Sequence, residues 1–317
     1  MTLHESGAGR EAFVTMVTSD AYVVGALVLA YSLRKAGTSR RLVCMVTSSL
    51  AADSVAVLRE VYEVRFVAPM DSGDAKNLRL LGRPELGPTF TKLQLWGFTD
   101  LDKVVFLDAD MLILKNIDDL FAREELSACA DVGWPDCFNS GLFVARPSLD
   151  TLGALVELAR AQGSFDGGDQ GLLNTFFSTW STGPSERRIP FLYNLTFNSC
   201  YGYKPAFERH RDQVRAVHFI GATKPWNFNR FSDGQVAARG DGAAVHIEYV
   251  QAWWDLHDEF IKPKVRQRVA MRLSRELMGG GTHSWRPGLG AVRQSALLYE
   301  SLSRLGMRLS CVCTAVR

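Results

Sequence analysis

The chain has 317 residues, of which 47% are hydrophobic and 22% charged, and its formal net charge is +2. These proportions are ordinary for a folded protein with a sizeable core. No apolar run approaches the roughly 20 residues of a membrane-spanning helix, and the segment 1–13 lacks the apolar stretch of a secretory signal. We therefore expect a cytoplasmic protein that is neither embedded in a membrane nor secreted.

The six cysteines and one glycosylation pattern fit that expectation. The cysteines follow no CxxC or zinc-site spacing, so free thiols in a reducing compartment are the simplest interpretation. The segment 194–196 matches the N-glycosylation sequon, but a cytosolic chain does not meet that machinery. We expect no N-glycosylation there.

Charge is distributed unevenly along the chain. Residues 262–317 carry a net charge of +9, which leaves −7 on residues 1–261, and the mildly acidic body suits a protein that binds a divalent cation. The basic segment lacks interleaved aromatic residues and any nucleic-acid motif, so we expect a flexible, solvated tail and no nucleic-acid partner. Composition changes near residue 265, which predicts a domain over residues 1–265 and a tail over residues 266–317.

The first two-thirds of the chain alternate short β-like runs with amphipathic helices, the pattern of a parallel α/β sheet in one domain. In chain order, the predicted elements are strand 12–17, helix 21–36, strand 41–46, helix 55–62, strands 64–67, 103–107 and 138–145, and helix 149–161. Asp20 is the predicted N-cap of the first helix, and Gly163 is the predicted stop of the last. The apolar face of the last helix consists of Leu149, Leu152, Leu155, Val156 and Ala159.

An Asp-x-Asp pair interrupts the most apolar of these strands, since residues 103–107 run into Asp108, Ala109 and Asp110 and continue as 111–114. In an extended segment, residues two apart point to the same side, so both carboxylates are expected to face one point while Ala109 turns away. Two unpaired carboxylates in a buried strand repel each other unless a cation lies between them. The pattern therefore predicts a divalent metal site at the carboxyl end of the strand.

A divalent ion held in this way could clamp a pyrophosphate and neutralise the charge of a departing nucleoside diphosphate. This is the leaving-group chemistry of sugar-nucleotide transfer. A phosphohydrolase or a nucleotidyltransferase could use the same pair of carboxylates.

His218, Gly221 and Lys224, which follow the apolar Val217, could extend the site. His218 could supply a third ligand, and an imidazole nitrogen favours Mn²⁺ over Mg²⁺. Gly221 would let the backbone approach a phosphate, and Lys224 could hold one as a positive charge. A lone histidine beside apolar residues is more often structural, so the three residues together carry more weight than any one of them.

Two other positions stay ambiguous from the pattern alone. Paired glycines precede Asp169, which indicates a tight turn that opens a helix, and Asp169 is either the N-cap of that helix or a ligand contact. Asn139 lies between an apolar residue and Ser140, and the pattern likewise leaves open whether its role is structural or a ligand contact.

Taken together, these motifs resemble glycosyltransferase family eight. The matching runs are FLDAD at 106–110, NSG at 139–141, GDQG at 168–171 and HFIGATKPW at 218–226. Longer runs at 83–87, 133–141 and 163–167 resemble the family's self-glucosylating members, which prime glycogen synthesis. The similarity extends from about Ala12 to about Asp255. It implies a single GT-A domain, a Rossmann-like fold with a mostly parallel central sheet, that uses UDP-glucose and Mn²⁺.

The resemblance also implies roles by position. The implied metal ligands are Asp108, Asp110 and His218. The implied nucleotide and phosphate contacts are Thr18, Ser19, Tyr22, Arg83, Lys92, Gly221 and Lys224. Around the glucose it implies Asn139, Asp166, Asp169 and Gln170, with Asp108, Ala109, Asp110 and Ser140 as further substrate contacts. Position 19 is usually Asn in close relatives, and Ser19 keeps a polar group there with a weaker expected contact to the base.

The implied acceptor is a tyrosine of the chain itself. Such family members glucosylate their own tyrosine and extend the sugar through α-1,4 links; the matching residue is Tyr201, with Tyr203 the nearest alternative. Asp169 is expected nearest the anomeric carbon, where it either forms a glycosyl ester or stabilises positive charge during same-face attack. Lys92 is expected to balance negative charge at the donor phosphates.

The same resemblance implies a homodimer and a growing glucan chain as partners. Such proteins typically end in a short Trp- and Tyr-containing motif that recruits glycogen synthase, and no match follows Trp254, so recruitment of the synthase stays open. One alternative is a family-eight hexosyltransferase that acts on a separate small acceptor. The other is a primer or scaffold that carries glucan with little catalysis, against which the set Asp108, Asp110, Asp169 and His218 argues.

Overall fold

The computed structural model describes residues 7–133, 135–196, 204–237 and 247–264. Its strands are β1 (Glu11–Val17), β2 (Arg41–Val46), β3 (Glu63–Phe66), β4 (Lys103–Leu107), β5 (Met111–Ile113), β6 (Ser127–Ala130), β7 (Phe138–Ala145), β8 (Arg188–Ile189), β9 (Leu195–Thr196) and β10 (Ala216–His218). Its α-helices are α1 (Val23–Lys35), α2 (Ala52–Leu58), α3 (Ala75–Leu81), α4 (Leu149–Gln162), α5 (Asp169–Phe176), α6 (Lys204–His210) and α7 (Ile247–Leu256). Within these ranges, no helix is both long enough and apolar enough to cross a bilayer.

The central sheet has seven strands in the order β3-β2-β1-β4-β7-β6-β8. The four strands from β3 to β4 pair in parallel, and so do β6 and β8. Strand β7 pairs antiparallel with β4 and with β6. The predicted α/β domain with a mostly parallel central sheet is confirmed.

Apolar side chains pack on both faces of this sheet. Phe13 of β1 lies in a buried cluster with Leu29 of α1 on one face. Val14 lies on the other face in a second cluster with Trp96, which belongs to the 3₁₀ turns over Pro84–Gly97. Because both faces are covered, β4 is apolar at successive positions and is buried along its whole length.

Two predicted details near the first helices are wrong. A 3₁₀ turn over Asp20–Tyr22 precedes α1, and Asp20 does not cap that helix. Its carboxylate instead accepts the backbone N–H of Ala51, just before α2, at 3.1 Å. Helix α2 begins and ends earlier than the predicted 55–62, and a turn separates it from Tyr62, whose hydroxyl donates to the carbonyl of Ala26 at 2.6 Å.

Helix α4 begins and ends close to the predicted positions, but its buried face is narrower than predicted. Gly163 ends it with φ +68°, a left-handed conformation that favours glycine. Leu155 is fully buried, whereas Leu149 is 64% exposed. At about 100° per residue, Leu149 lies about 120° around the helix from Leu155. The predicted apolar face was therefore wrong at Leu149.

Truncation of these two leucines should separate buried from exposed positions of α4. We expect Leu155→Ala to lower the free energy of unfolding by about 2–5 kcal/mol, because it leaves a cavity under the helix. Leu149→Ala should change it by less than about 0.5 kcal/mol. Urea denaturation of both variants measures the difference, and equal losses would contradict this orientation of α4.

Candidate active site

The Asp-x-Asp segment lies where two sheets meet. β4 ends at Leu107 in the central sheet, whereas β5 belongs to a second sheet in the order β5-β10-β9. Asp108, Ala109 and Asp110 form a turn between them, in which the N–H of Met111 donates to the carbonyl of Asp108 at 3.2 Å. The prediction of one continuous extended strand is therefore wrong. The turn, rather than the two-residue repeat of a strand, brings the carboxylates together.

His218 completes a group of three possible metal ligands. It is the last residue of β10 and lies opposite Met111 in the antiparallel pairing with β5. Its Nε2 is 3.3 Å from Asp110 Oδ1 and 3.7 Å from Asp108 Oδ2, and one ligand atom from each of the three lies within 4.8 Å of the others. Around an ion with metal–ligand distances of about 2.1 Å, neighbouring ligand atoms are about 3 Å apart. This donor set therefore fits a divalent cation.

A buried lysine connects this group to Asp169. The Nζ atom of Lys92 lies 2.6 Å from Asp169 Oδ2 and 3.3 Å from Asp108 Oδ1, and it donates to the carbonyl of Ser140 at 3.1 Å. Burial alone would lower the pKa of Lys92, but the charges of Asp108 and Asp169 outweigh it and raise that pKa. Lys92 is thus a fixed positive charge between the metal-ligand group and Asp169.

A second buried lysine, Lys224, pairs with the other carboxylate of the turn. Its ammonium contacts Asp110 Oδ2 and donates to the carbonyl of Phe219 at 2.9 Å. Burial alone would raise the pKa of Asp110, but His218 and Lys224 lower it well below its usual range. Burial raises the pKa of Asp108, and the neighbouring charge of Asp110 adds to that rise. Asp110 is therefore the more readily ionised of the two carboxyl groups.

Strand β7 supplies the backbone on which the site packs. The carbonyl of Gly141 accepts the N–H of Asp108 at 2.8 Å, which fixes the start of the turn. A Cβ atom at position 141 would lie 2.2 Å from Cε1 of His218, so only glycine allows the ring to pack there. The N–H of Ser140 donates to Oε1 of Gln170 at 3.1 Å, which ties β7 to α5.

Asn194 is a buried residue of the site that the sequence interpretation missed. It is fully buried, its Oδ1 lies 3.0 Å from Nδ1 of His218, and its Nδ2 donates to Oδ1 of Asn139 at 2.9 Å. The sequon was the pattern visible at this position, and it gave no sign of a contact with His218. Burial of the Asn194 amide also prevents glycan attachment to the folded chain.

Asp166 holds the beginning of α5. Its Oδ1 accepts from the Ser164 hydroxyl at 2.7 Å and from the N–H of Gly168 at 2.8 Å, and its Oδ2 accepts from the N–H of Gly171 at 3.0 Å. Gly168 is the N-cap of α5 and Asp169 is its first residue. Asp169 therefore does not cap the helix, and its carboxylate turns to Lys92 instead.

Three of the residues implied for the nucleotide, Thr18, Ser19 and Tyr22, lie within five residues of the end of β1. Thr18 and Ser19 follow that strand directly, and Ser19 is exposed. The ring of Tyr22 lies 5.8 Å from Nζ of Lys224, which brings it beside the buried charges. Arg83 forms an ion pair with Glu85 and no described contact with the three-ligand group.

Gly221 follows β10 and has φ +84°, a left-handed conformation that favours glycine. The implied acceptor Tyr201, its alternative Tyr203 and the tail of residues 266–317 lie outside the described residues.

Comparison with known proteins assigns this arrangement to a family. The chain matches Glycosyl transferase family 8 over residues 13–230. It is 48% identical over 261 residues to Glycogenin-1 of Oryctolagus cuniculus, and the alignment covers 81% of this chain and 78% of that protein. It is also 48% identical over 260 residues to Glycogenin-1 of Homo sapiens, and that alignment covers 81% of this chain and 74% of that protein. The chain belongs to the glycogenins of glycosyltransferase family 8. The family predicted from the motifs is confirmed.

Two solved glycosyltransferases share the fold seen here. The apo form of GlyE from Streptococcus pneumoniae TIGR4 has a TM-score of 0.52 at 19% identity and covers 81% of this chain and 64% of its own. The galactosyltransferase LgtC, solved with donor and acceptor sugar analogs, has a TM-score of 0.51 at 17% identity and covers 76% of this chain and 95% of its own. At these identities the likeness concerns the fold alone.

Substitution of Gly141 in this glycogenin should disturb the metal-ligand group without a change in any ligand. We expect Gly141→Ala to push the His218 ring away and to weaken the binding of a divalent cation, for which Mn²⁺ is the probe, at least tenfold, because the new methyl group occupies the place of the ring. Gly153→Ala is the control, since no atom lies within 4 Å of its added methyl group. Calorimetric Mn²⁺ titration in the presence of UDP measures both. Unchanged Mn²⁺ affinity in Gly141→Ala would contradict the packing described here.

Proposed function

We propose that this chain is a retaining glucosyltransferase that glucosylates itself. It transfers glucose from UDP-glucose to one of its own tyrosines and extends the sugar through α-1,4 links as a primer for glycogen synthesis. The observation that carries this proposal is the convergence of Asp108, Asp110 and His218 beside the Lys92–Asp169 pair, in a chain that belongs to the glycogenins.

The metal proposed for the three-ligand group is Mn²⁺. A donor set of two carboxylates and one imidazole suits Mn²⁺ better than Mg²⁺, which prefers oxygen ligands. When bound, the ion would neutralise charge that develops on the departing diphosphate. The buried ammonium of Lys224 and the glycine backbone at Gly221 support further contacts with the same diphosphate.

The remaining substrate contacts are proposals from the family resemblance and the position of each residue. The nucleoside is assigned to Thr18, Ser19, Tyr22 and Arg83. The glucose is assigned to Ala109, Asn139, Ser140, Asp166, Asp169 and Gln170. In this chain Asp166 and Gln170 already form hydrogen bonds that connect α5 to its surroundings, so their proposed contribution includes the position of Asp169.

Asp169 is the carboxylate proposed to act at the anomeric carbon. The bond from C1 to the phosphate oxygen breaks, and a bond from C1 to the acceptor oxygen forms with retained configuration. Asp169 either stabilises the positive charge of this centre or forms a transient glycosyl ester. The neighbouring ammonium of Lys92 holds the carboxylate in place and balances the charge of the donor phosphates.

Tyr201 is the proposed acceptor. A phenol has a pKa near 10, so its hydroxyl needs a base as it attacks. In the same-face route the departing phosphate oxygen is close enough to the acceptor to take that proton. UDP then leaves with the proton, and the chain carries a glucose on the tyrosine oxygen.

We also propose a homodimer in the cytoplasm that carries the growing glucan, with a catalytic domain of residues 1–265 and a basic tail of residues 266–317. The thiols of Cys44, Cys129 and Cys137 are free, which fits a reducing compartment. Glycogen synthase is a further proposed partner.

Self-glucosylation predicts a change in the mass of the protein. Wild type incubated with UDP-glucose and Mn²⁺ should show a ladder of hexose increments in intact-mass spectra, and Tyr201→Phe should show none. Tyr203→Phe is the matched control and should keep the ladder. An unmodified wild type that still consumes UDP-glucose would point instead to a separate small acceptor.

Replacement of Asp169 tests the proposed chemistry. We expect Asp169→Asn to lower the rate of glucose transfer at least a hundredfold while UDP still binds, because the amide keeps the shape but loses the negative charge at the anomeric carbon. Asp150→Asn, at an exposed position in the first turn of α4, should transfer at the wild-type rate. Nearly full transfer by Asp169→Asn would exclude the proposed role.

A further inference from the structure

We infer that Asn194 is a positioning residue that fixes the proton of His218 on Nδ1, presents Nε2 to the metal-ligand group and ties the ring to Asn139. The inference rests on the proposed metal-dependent transfer and adds a residue to which the resemblance implied no role. It follows from three contacts that link Gly141, Asn139, Asn194 and His218 in series.

One backbone group determines how both amides are oriented. The N–H of Gly141 lies 3.0 Å from the side chain of Asn139, and because a backbone N–H can only donate, the atom that faces it is Oδ1. The Asn194 atom 2.9 Å from that oxygen must then be the donor Nδ2. The other Asn194 atom is Oδ1, an acceptor that lies 3.0 Å from Nδ1 of His218. Nδ1 therefore carries the hydrogen.

This assignment decides what His218 offers to a cation. A neutral imidazole has one N–H, so a hydrogen on Nδ1 leaves the lone pair on Nε2. Nε2 is the atom that faces Asp110 and Asp108, at 3.3 and 3.7 Å. A hydrogen on Nε2 would occupy the direction in which a metal must bind. Histidine ligands commonly donate their other N–H to a fixed acceptor for this reason.

Among the residues that the structure describes, Asn194 supplies the acceptor that faces Nδ1 of His218. Asn194 is 0% exposed and His218 is 4% exposed, so solvent cannot replace the lost acceptor. Asn194 immediately precedes β9, which pairs with β10 so that Thr196 lies opposite His218. The backbone therefore sets the distance between the two side chains, while Gly141 holds the ring from its other side.

The same contacts include Asn139, which is proposed to contact the glucose. Oδ1 of Asn139 accepts from both Gly141 and Asn194. Asn194 thus contacts both the imidazole of His218 and the amide of Asn139.

The first test measures the protonation pattern of wild type directly. In the full chain labelled with ¹⁵N-histidine and kept free of metal, we expect His218 to show the Nδ1–H form at a pH where it is neutral. The signal is identified by its absence in His218→Asn. A wild-type ring with its hydrogen on Nε2 would overturn the inference.

The second test measures Mn²⁺ affinity at saturating UDP. Asn194→Leu, of similar size, should bind Mn²⁺ 10–100-fold more weakly than wild type. Asn194→Asp keeps an acceptor for Nδ1–H but loses the donor to Asn139 Oδ1, so it should recover part of that loss. The matched control is Asn174→Leu, which removes an amide bonded to Phe138 of β7 and away from His218, and which should change Mn²⁺ affinity less than threefold. Wild-type affinity in Asn194→Leu, or an equal loss in Asn174→Leu, would show that Asn194 is merely structural.

Neither measurement needs glucose transfer. A wild type that shows both results but does not glucosylate itself would overturn the proposed function and leave the role of Asn194. A wild type that glucosylates itself with its His218 hydrogen on Nε2 would overturn the role of Asn194 alone.

Discussion

The site depends on the balance of charge in a small buried volume. Three carboxylates gather there, of which Asp110 and Asp169 are buried and Asp108 is half-buried, and such a group is unstable unless positive charge compensates it. Lys92 lies between Asp108 and Asp169, and Lys224 pairs with Asp110. The two ammonium groups leave one negative charge over, so a divalent cation would give this group a net positive charge, which suits the diphosphate of the proposed donor.

The backbone that holds these charges comes from the junction of two sheets. β4 and β7 belong to the central sheet, whereas β5 and β10 belong to the small one, and the turn over Asp108–Asp110 connects them. Gly141 contacts both parts of the site, since its carbonyl fixes Asp108 and its lack of a side chain makes room for His218. A change at this one backbone position therefore acts on the metal-ligand group and on Asn139, which accepts the N–H of Gly141.

Much of the fold followed from local pattern, because strands covered on both faces are continuously apolar and the crossover helices are amphipathic. Strand β4 was predicted at its observed positions, and the stop of α4 at Gly163 was predicted from the glycine alone. Errors occurred where a tertiary contact replaced a local one. The carboxylate of Asp20 bonds to Ala51 rather than to its own helix, and Leu149 extends an apolar pattern onto the exposed face of α4.

The sequence by itself determined the family, the sheet and the three residues that the structure brings together as possible metal ligands, since these depend on residue types in a recognisable pattern. Tertiary structure alone decided how they meet. The carboxylates of Asp108 and Asp110 converge through a turn between two sheets, and Asn194 reaches His218 only because β9 pairs with β10. Asn194 and His218 are 24 residues apart in the chain. Contacts across such a separation depend on strand pairing and burial, which no local spacing records.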